Sequence, residues 1–270
     1  MSKLRPVTPL SIIASNLERA LTNIEAKGSL DLETKELLET TREMANGIEP
    51  YLIDNTTQEE DALKKLAEET LKFDWKGSDI SQMNSLEPEM LSGHVEGMFL
   101  RQIVALANCK NVLEIGLFSG YSALAMAQAL PDEGKLIACE INEYAARFAV
   151  NQFSKSEHGR KIEVIVGDAL DTLKQLVQKE AVFDLVFLDA DKAGYKSYFQ
   201  FLLEHNMVKR GGIFLIDNTL LQGEPYLKKE YRGQGGEAIK LFNEYLSKEP
   251  RIEQVLIPLR DGVTLARLIA

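Results

Sequence analysis

From Asn111 to the C-terminus, short apolar runs alternate with segments of helical character, and this alternation leaves few architectures open. The candidate strands are residues 111–116, 135–141, 162–167, 183–189, 212–217, 252–259 and 263–269, and helical stretches of ten or more residues fill most of the gaps. The runs are β-branched and aromatic, of the kind buried in a parallel sheet. Strand–helix alternation of this kind predicts a doubly wound, mostly parallel α/β sheet. The last two runs break the pattern, because only Arg260-Asp261 separates them and Gly262 ends the turn. A link this short cannot make a parallel crossover, so an antiparallel hairpin is expected. Five parallel strands followed by a hairpin are unlike the usual dinucleotide-binding sheet.

Residues 1–80 read as a helical N-terminal extension, and 81–270 as the main domain. Thr8-Pro9 is a helix-start signal, and Leu10, Ile13, Leu17, Leu21 and Ile24 follow as one apolar stripe. A second helix is expected after Asp31, ending by Asn46-Gly47 and Pro50. A third opens at Thr57, with Glu60 completing a capping-box pattern. A polar loop over 77–88 then leads into a helix expected from Glu89 to Leu106.

The net charge of -10 disfavours non-specific binding to nucleic acid or anionic membrane. Cys109 and Cys139 offer neither a disulfide framework nor a metal spacing, and the chain shows no signal-peptide core and no membrane-length apolar run. A cytoplasmic location is the resulting expectation. None of His94, His158 and His205 pairs with another at ligand spacing; His158 and His205 are expected in solvent, and His94, just before the segment that would cover a cofactor, is the one candidate among them for a substrate contact.

Chemistry is expected at the strand ends, since parallel α/β sheets bind ligands just beyond their strands' carboxyl ends. The fourth and fifth runs end in Asp189 and in Asp217-Asn218. If these strands are neighbours, three hard oxygen donors converge, which suits Mg²⁺ first and Mn²⁺ or Ca²⁺ as alternatives. Two carboxylates without a cation would repel each other. Lys192, three residues beyond Asp189, could reach over that site and serve as a base; the competing reading is a solvated surface lysine. The first run ends Glu114-Ile115-Gly116-Leu117-Phe118-Ser119-Gly120-Tyr121-Ser122, without the glycine spacing of a pyrophosphate loop. A cofactor lying close to the backbone and a plain tight turn explain it about equally. Glu140, ending the second run, is placed to accept a ribose diol. Asp168-Ala169, after the third, could edge an adenine, although a turn and helix cap is the commoner use of such a pair.

These residues together resemble the caffeoyl-CoA and catechol O-methyltransferases, class I enzymes that use S-adenosylmethionine (SAM) and a divalent cation. The resemblance runs from about Met83 to Ala270 and rests on E-I-G-x-x-x-G-Y-S, D-A-D-K and D-N-T-L taken as a set. It implies a Rossmann-like methyltransferase fold with a seven-stranded sheet. Glu114, Gly116, Leu117 and Ser122 would line the methionine and ribose side of the cofactor, with Ser85 near its methionine end. Glu140 would hold the ribose, and Asp168 and Ala169 the adenine. Asp189, Asp217 and Asn218 would be metal ligands, Asp191 a substrate-side acid, and Lys192 the base. Leu221 and Gln222 stand where plant members carry tryptophan and asparagine, a departure on the caffeoyl-CoA side that makes Gln222 a candidate substrate contact. The long helical N-terminus is similar to that of the cyanobacterial methyltransferases of mycosporine biosynthesis, whose acceptor is a cyclohexenone enediol.

The implied reaction is O-methylation of one hydroxyl of a vicinal dioxygenated small molecule, a catechol or an enediol such as demethyl-4-deoxygadusol. The alternatives are a caffeoyl-CoA-type phenylpropanoid acceptor and a non-catalytic SAM-binding module. A nicotinamide oxidoreductase is opposed by the missing glycine fingerprint and by the closing hairpin. An N-methyl or aminopropyl transferase would differ in not needing a metal. The N-terminal helices are expected to form an acceptor lid, a homodimer contact, or both.

Overall fold

The computed structural model describes residues 5–28, 31–75 and 86–270. Its strands are β1 (Asn111–Ile115), β2 (Lys135–Glu140), β3 (Ile162–Val166), β4 (Phe183–Leu188), β5 (Val208–Ile216), β6 (Ile252–Ile257) and β7 (Val263–Leu268). They form one sheet in the order β3-β2-β1-β4-β5-β7-β6. Strands β1 to β5 pair in parallel, and β7 runs antiparallel to both β5 and β6. The doubly wound sheet closed by a hairpin is therefore the fold of this chain.

Helices cover both faces, and the two-residue period of the strands decides which side chain meets which layer. In β4, Val186 and Leu188 join the cluster built with α7 (Ala169–Gln178), α8 (Tyr195–Glu204) and α9 (Gln234–Leu246). Leu185 and Phe187 face the opposite cluster, with α3 (Asp61–Lys72), α4 (His94–Leu106) and α5 (Tyr121–Ala129). Residues Tyr121 to Gln128 of α5 are all buried, as befits a helix with no polar face held between sheet and neighbours. The remaining helix on that side, α6 (Glu143–Phe153), follows β2.

The N-terminal helices depart from expectation in their boundaries. Helix α1 (Pro9–Lys27) starts where expected, with Thr8 and Ser11 forming a reciprocal cap. Helix α2 (Leu32–Asp54) runs through Asn46-Gly47 and Pro50. Asn and Gly weaken a helix by about 1 kcal/mol or less without ending it, and Pro50 removes one amide within the last turns. Helix α3 begins at Asp61, not Thr57; Glu60 makes no capping bond, and its carboxylate meets Arg101 at 2.9 Å instead. The helix expected from Glu89 is only a short 3₁₀ turn (Pro88–Met90), and α4 starts at His94 after Gly93 at φ +78°. The Arg260 guanidinium lies where a Gly93 side chain would be, which accounts for the break. Strand β5 begins four residues earlier than expected, across an irregularity at Gly211. Among the described residues no helix is long and apolar enough to cross a membrane.

Candidate active site

The tips of β1, β4 and β5 lie side by side: Asp189 N donates to Ile115 O at 2.9 Å, and Asp217 N donates to Leu188 O at 3.0 Å. Gly116 makes the first of these approaches possible. Its φ is +94°, and a Cβ there would sit 1.9 Å from the Asp189 carbonyl oxygen. Lys192 turns back over the tips, donating to Asp189 Oδ1 at 3.0 Å, to the Tyr195 hydroxyl at 2.9 Å and to Asn218 Oδ1. The Tyr195 hydroxyl in turn donates to the Asp217 carbonyl at 3.1 Å. Asp189, Lys192, Asp217 and Asn218 are thus brought together.

Burial, and then the neighbouring Asp189, push the Asp217 carboxyl well above the usual range, with the Lys192 ammonium opposing. Glu96 of α4 faces Asp217; it is buried, and its Oε1 has no hydrogen-bond partner. Burial and Asp217 push its carboxyl up as well. Asp261, at the tip of the β6–β7 hairpin, accepts from Gln222 N at 2.6 Å and from Asn218 Nδ2 at 3.4 Å. Burial raises its pKa to about 6. A pocket this rich in buried acids is suited to cationic ligands.

The donor chemistry fits a divalent cation. Asp189 and Asn218 offer oxygen atoms to one ammonium already, and Asp217 adds a carboxylate that lacks a full countercharge. Among the described residues no group of three or more His, Cys, Asp or Glu is arranged to hold a metal; in the candidate set the third oxygen donor is the Asn218 amide. The oxygen-only character favours Mg²⁺, Mn²⁺ or Ca²⁺.

The residues expected on the cofactor side lie on β1, on the loop after it and at the tip of β2. Glu114 is fully buried and faces α5, where Ser122 Oγ donates to its Oε1, while its Oε2 has no partner. Burial holds this carboxyl well above its ordinary range. An orphaned buried carboxylate oxygen fits an ammonium-bearing ligand. Glu140 accepts from the amides of Leu117 (3.1 Å) and Phe118 (2.8 Å) through Oε2, and from Asn142 N (2.7 Å) through Oε1. Those bonds draw the loop and the tip of β2 together. A cleft lined by Leu91, Leu117, Ser119, Ser122 and Asp189 opens between this loop and the strand tips.

Other expected residues stand apart from this cluster. Asp168 caps α7, accepting from Asp171 N at 3.1 Å, and Ala169 is the first residue of that helix. Asp191 is turned onto the start of α8, where Gly194 N (2.8 Å) and the Tyr198 hydroxyl (2.7 Å) take both of its oxygens. Gln222 sits at φ +56°, its amide held by Asp261. Ser85 lies outside the described residues. His94 is bonded to the Thr57 carbonyl at 2.7 Å. His158, expected in solvent, is mostly covered, with Lys161 Nζ 3.2 Å away and Glu60 3.7 Å away. Both cysteines are buried, and burial pushes the Cys139 thiol up to about 12.

Sequence reasoning missed Glu96, Tyr195 and Asp261. Glu96 looks like an ordinary first-turn helix acid, Tyr195 like a core aromatic, and Asp261 like a turn residue. Nothing local distinguishes them, because their partners lie on other elements.

The profile of the O-methyltransferase family matches residues 54–269. Caffeoyl-CoA O-methyltransferase 1 of Eucalyptus globulus is 37% identical over 221 residues, covering 79% of this chain and 84% of that protein. The S-adenosylhomocysteine (SAH)-bound methyltransferase of Podospora anserina matches with a TM-score of 0.71 at 28% identity, covering 90% of this chain and 98% of that one. An O-methyltransferase of Streptomyces achromogenes involved in tomaymycin synthesis, solved with SAM, matches with a TM-score of 0.67 at 27% identity, covering 83% and 96%. A family profile over most of the chain, the identity to the curated relatives and the fold shared with SAM- and SAH-bound enzymes lead to one conclusion: this chain belongs to the O-methyltransferase family and is a SAM-dependent O-methyltransferase of the caffeoyl-CoA O-methyltransferase type.

Proposed function

We propose that the enzyme methylates one hydroxyl of a small molecule carrying two adjacent oxygens, a catechol or a cyclohexenone enediol, with a divalent cation held by Asp189, Asp217 and Asn218. The observation that carries this reading is the Lys192 ammonium bonded to both Asp189 Oδ1 and Asn218 Oδ1 beside the buried Asp217. When bound, SAM supplies an electrophilic methyl group, and the cation supplies a Lewis acid and a template for two oxygens.

The chain's own residues supply the rest. Glu114 and Ser122 take the cofactor's amino-acid end, Gly116 and Leu117 present backbone to it, and Glu140 takes the ribose hydroxyls. Asp168 and Ala169 border the adenine. Lys192 in its amine form takes the acceptor's hydroxyl proton at Nζ, with the Tyr195 hydroxyl holding it in place. The buried walls exclude water from a reaction in which charge is lost, so positioning and desolvation carry most of the rate gain. Gln222 is assigned to the acceptor side; Asp191, whose two oxygens are taken by Gly194 N and the Tyr198 hydroxyl, is not.

The helical extension and the departure at Leu221-Gln222 support a cyclohexenone enediol such as demethyl-4-deoxygadusol, whereas the plant relatives support a caffeoyl-CoA-type phenylpropanoid. Helix α2 buries none of its residues and exposes Leu37, Met44 and Tyr51 at seven-residue spacing, which supports a homodimer contact. The test is an acceptor panel of caffeoyl-CoA, simple catechols and cyclohexenone enediols with labelled SAM, run on chelator-stripped enzyme with and without Mg²⁺. Expected is transfer to an enediol or catechol that Mg²⁺ restores. Full activity after stripping would overturn the assignment of a divalent cation to Asp189, Asp217 and Asn218.

A further inference from the structure

We infer that α3 and its two flanks are part of the cofactor site, with Glu59 a positioning residue for the loop from Leu117 to Ser122. The inference rests on the reading that this loop holds SAM, and it concerns how the loop is kept in shape.

The loop is strained and needs support. Phe118 adopts φ +51°, unusual for a bulky residue, between Gly116 at φ +94° and Gly120 at φ +86°. Such conformations persist only where the surroundings over-determine them. The amides of Leu117 and Phe118 hold Glu140, and Ser122 holds Glu114. Any shift of the loop is therefore felt by both acids assigned to the cofactor.

Both ends of α3 grip this loop. Ahead of the helix, the Tyr121 hydroxyl donates to Glu59 Oε1. The Tyr121 ring is buried and wedged against α4, where a Cβ on Gly97 would lie 2.7 Å from it. Glu60 pairs with Arg101 at 2.9 Å, and the Thr57 carbonyl bonds His94 at 2.7 Å, so the segment carrying Glu59 is tied down on either side. Behind the helix, the Trp75 ring packs on Phe118 at 4.5 Å between centroids, and its Nε1 donates to the Thr70 carbonyl at 2.9 Å. Leu63 and Leu66 fix the helix itself in the core. The loop is thus clasped at Phe118 and at Tyr121, and Ser119 between them keeps a buried hydroxyl with no partner.

SAH titration calorimetry on the full chain, with KM for SAM and kcat measured alongside, tests the clasp. Tyr121→Phe and Glu59→Ala should each weaken SAH binding five- to twenty-fold. The double variant should be no worse than either single one, and Glu59→Gln, which can still accept the hydroxyl's hydrogen, should recover to within threefold of wild type. The loss should fall on KM for SAM more than on kcat. Trp75 is the chain's only tryptophan, so SAH should also shift the wild-type emission. Tyr121→Phe binding SAH within twofold of wild type overturns the inference; this isosteric variant decides the matter even if Glu59→Ala fails to fold. A Glu140→Gln variant separates the two readings. If it binds SAH as wild type does, the cofactor placement fails and the clasp with it. If it loses affinity while Tyr121→Phe does not, only the clasp fails.

Discussion

The Lys192 ammonium donates to the side-chain carbonyl of Asn218, a residue at φ +56° on the neighbouring strand tip. Asp189 receives a second bond from the same ammonium. The proposed base and the proposed metal ligands are therefore one hydrogen-bonded unit, and a cation occupying those oxygens would compete with Lys192 for them.

Lys192→Met keeps the unbranched apolar stem and removes the proton acceptor. The expected result is a fall in kcat of about 10²- to 10⁴-fold, the range for loss of a general base. SAH affinity should stay within about twofold. Steady-state kinetics combined with calorimetry checks both, and an undiminished kcat would remove Lys192 from proton transfer.

At Glu114 the expectation is a trade of stability against function. Its carboxyl is fully buried and one oxygen has no partner, so Glu114→Gln removes an expensive buried acid. Without cofactor, the variant should melt higher than wild type by about 2–4 °C, corresponding to about 1 kcal/mol. SAM and SAH should both bind about tenfold more weakly, a loss of about 1.4 kcal/mol. Thermal melts with and without SAH separate the two effects.

Gly116→Ala should damage the site through the backbone. The new Cβ would collide with the Asp189 carbonyl oxygen, and φ +94° suits glycine alone. A destabilisation of about 2–4 kcal/mol is expected, together with loss of methyl transfer because Asp189 is displaced. Denaturant unfolding and an activity assay on the folded fraction report the two losses separately.

Acid should weaken one contact remote from the site. Hydrogen bonds from Arg251 hold the Glu249 carboxyl at about 2, below its ordinary 4.5. A depressed folded-state pKa contributes stability above the unfolded value, and that stability is lost as pH falls from about 4.5 towards about 2. Arg251 is 41% exposed, so solvent screening keeps the contribution near 1 kcal/mol. Glu249→Gln should melt below wild type at pH 7, and the gap should narrow below about pH 4.5 and close near about pH 2.

The clustering of the candidate site was legible in the sequence wherever one strand carried its own chemistry to its end. Asp189, Asp217, Asn218 and Lys192 lie within three residues of two apolar runs, and parallel pairing of β4 with β5 brings those ends together. Glu140 and the loop after Gly116 follow from the same rule on β1 and β2. Asp191 shows its limit, because the D-A-D-K motif does not reveal that the second aspartate turns onto α8.

The strand–helix alternation and the short link around Arg260-Asp261, which the structure widens to residues 258–262, were enough to indicate the sheet type and its closing hairpin, because apolar periodicity and connection length are local properties. Tertiary structure alone decided where α4 begins, since Gly93 breaks the helix to admit a guanidinium from the far hairpin. It also decided that Glu96 faces Asp217 and that Glu59 meets Tyr121. Those partners are tens to more than a hundred residues apart along the chain, and only packing across elements brings them into contact.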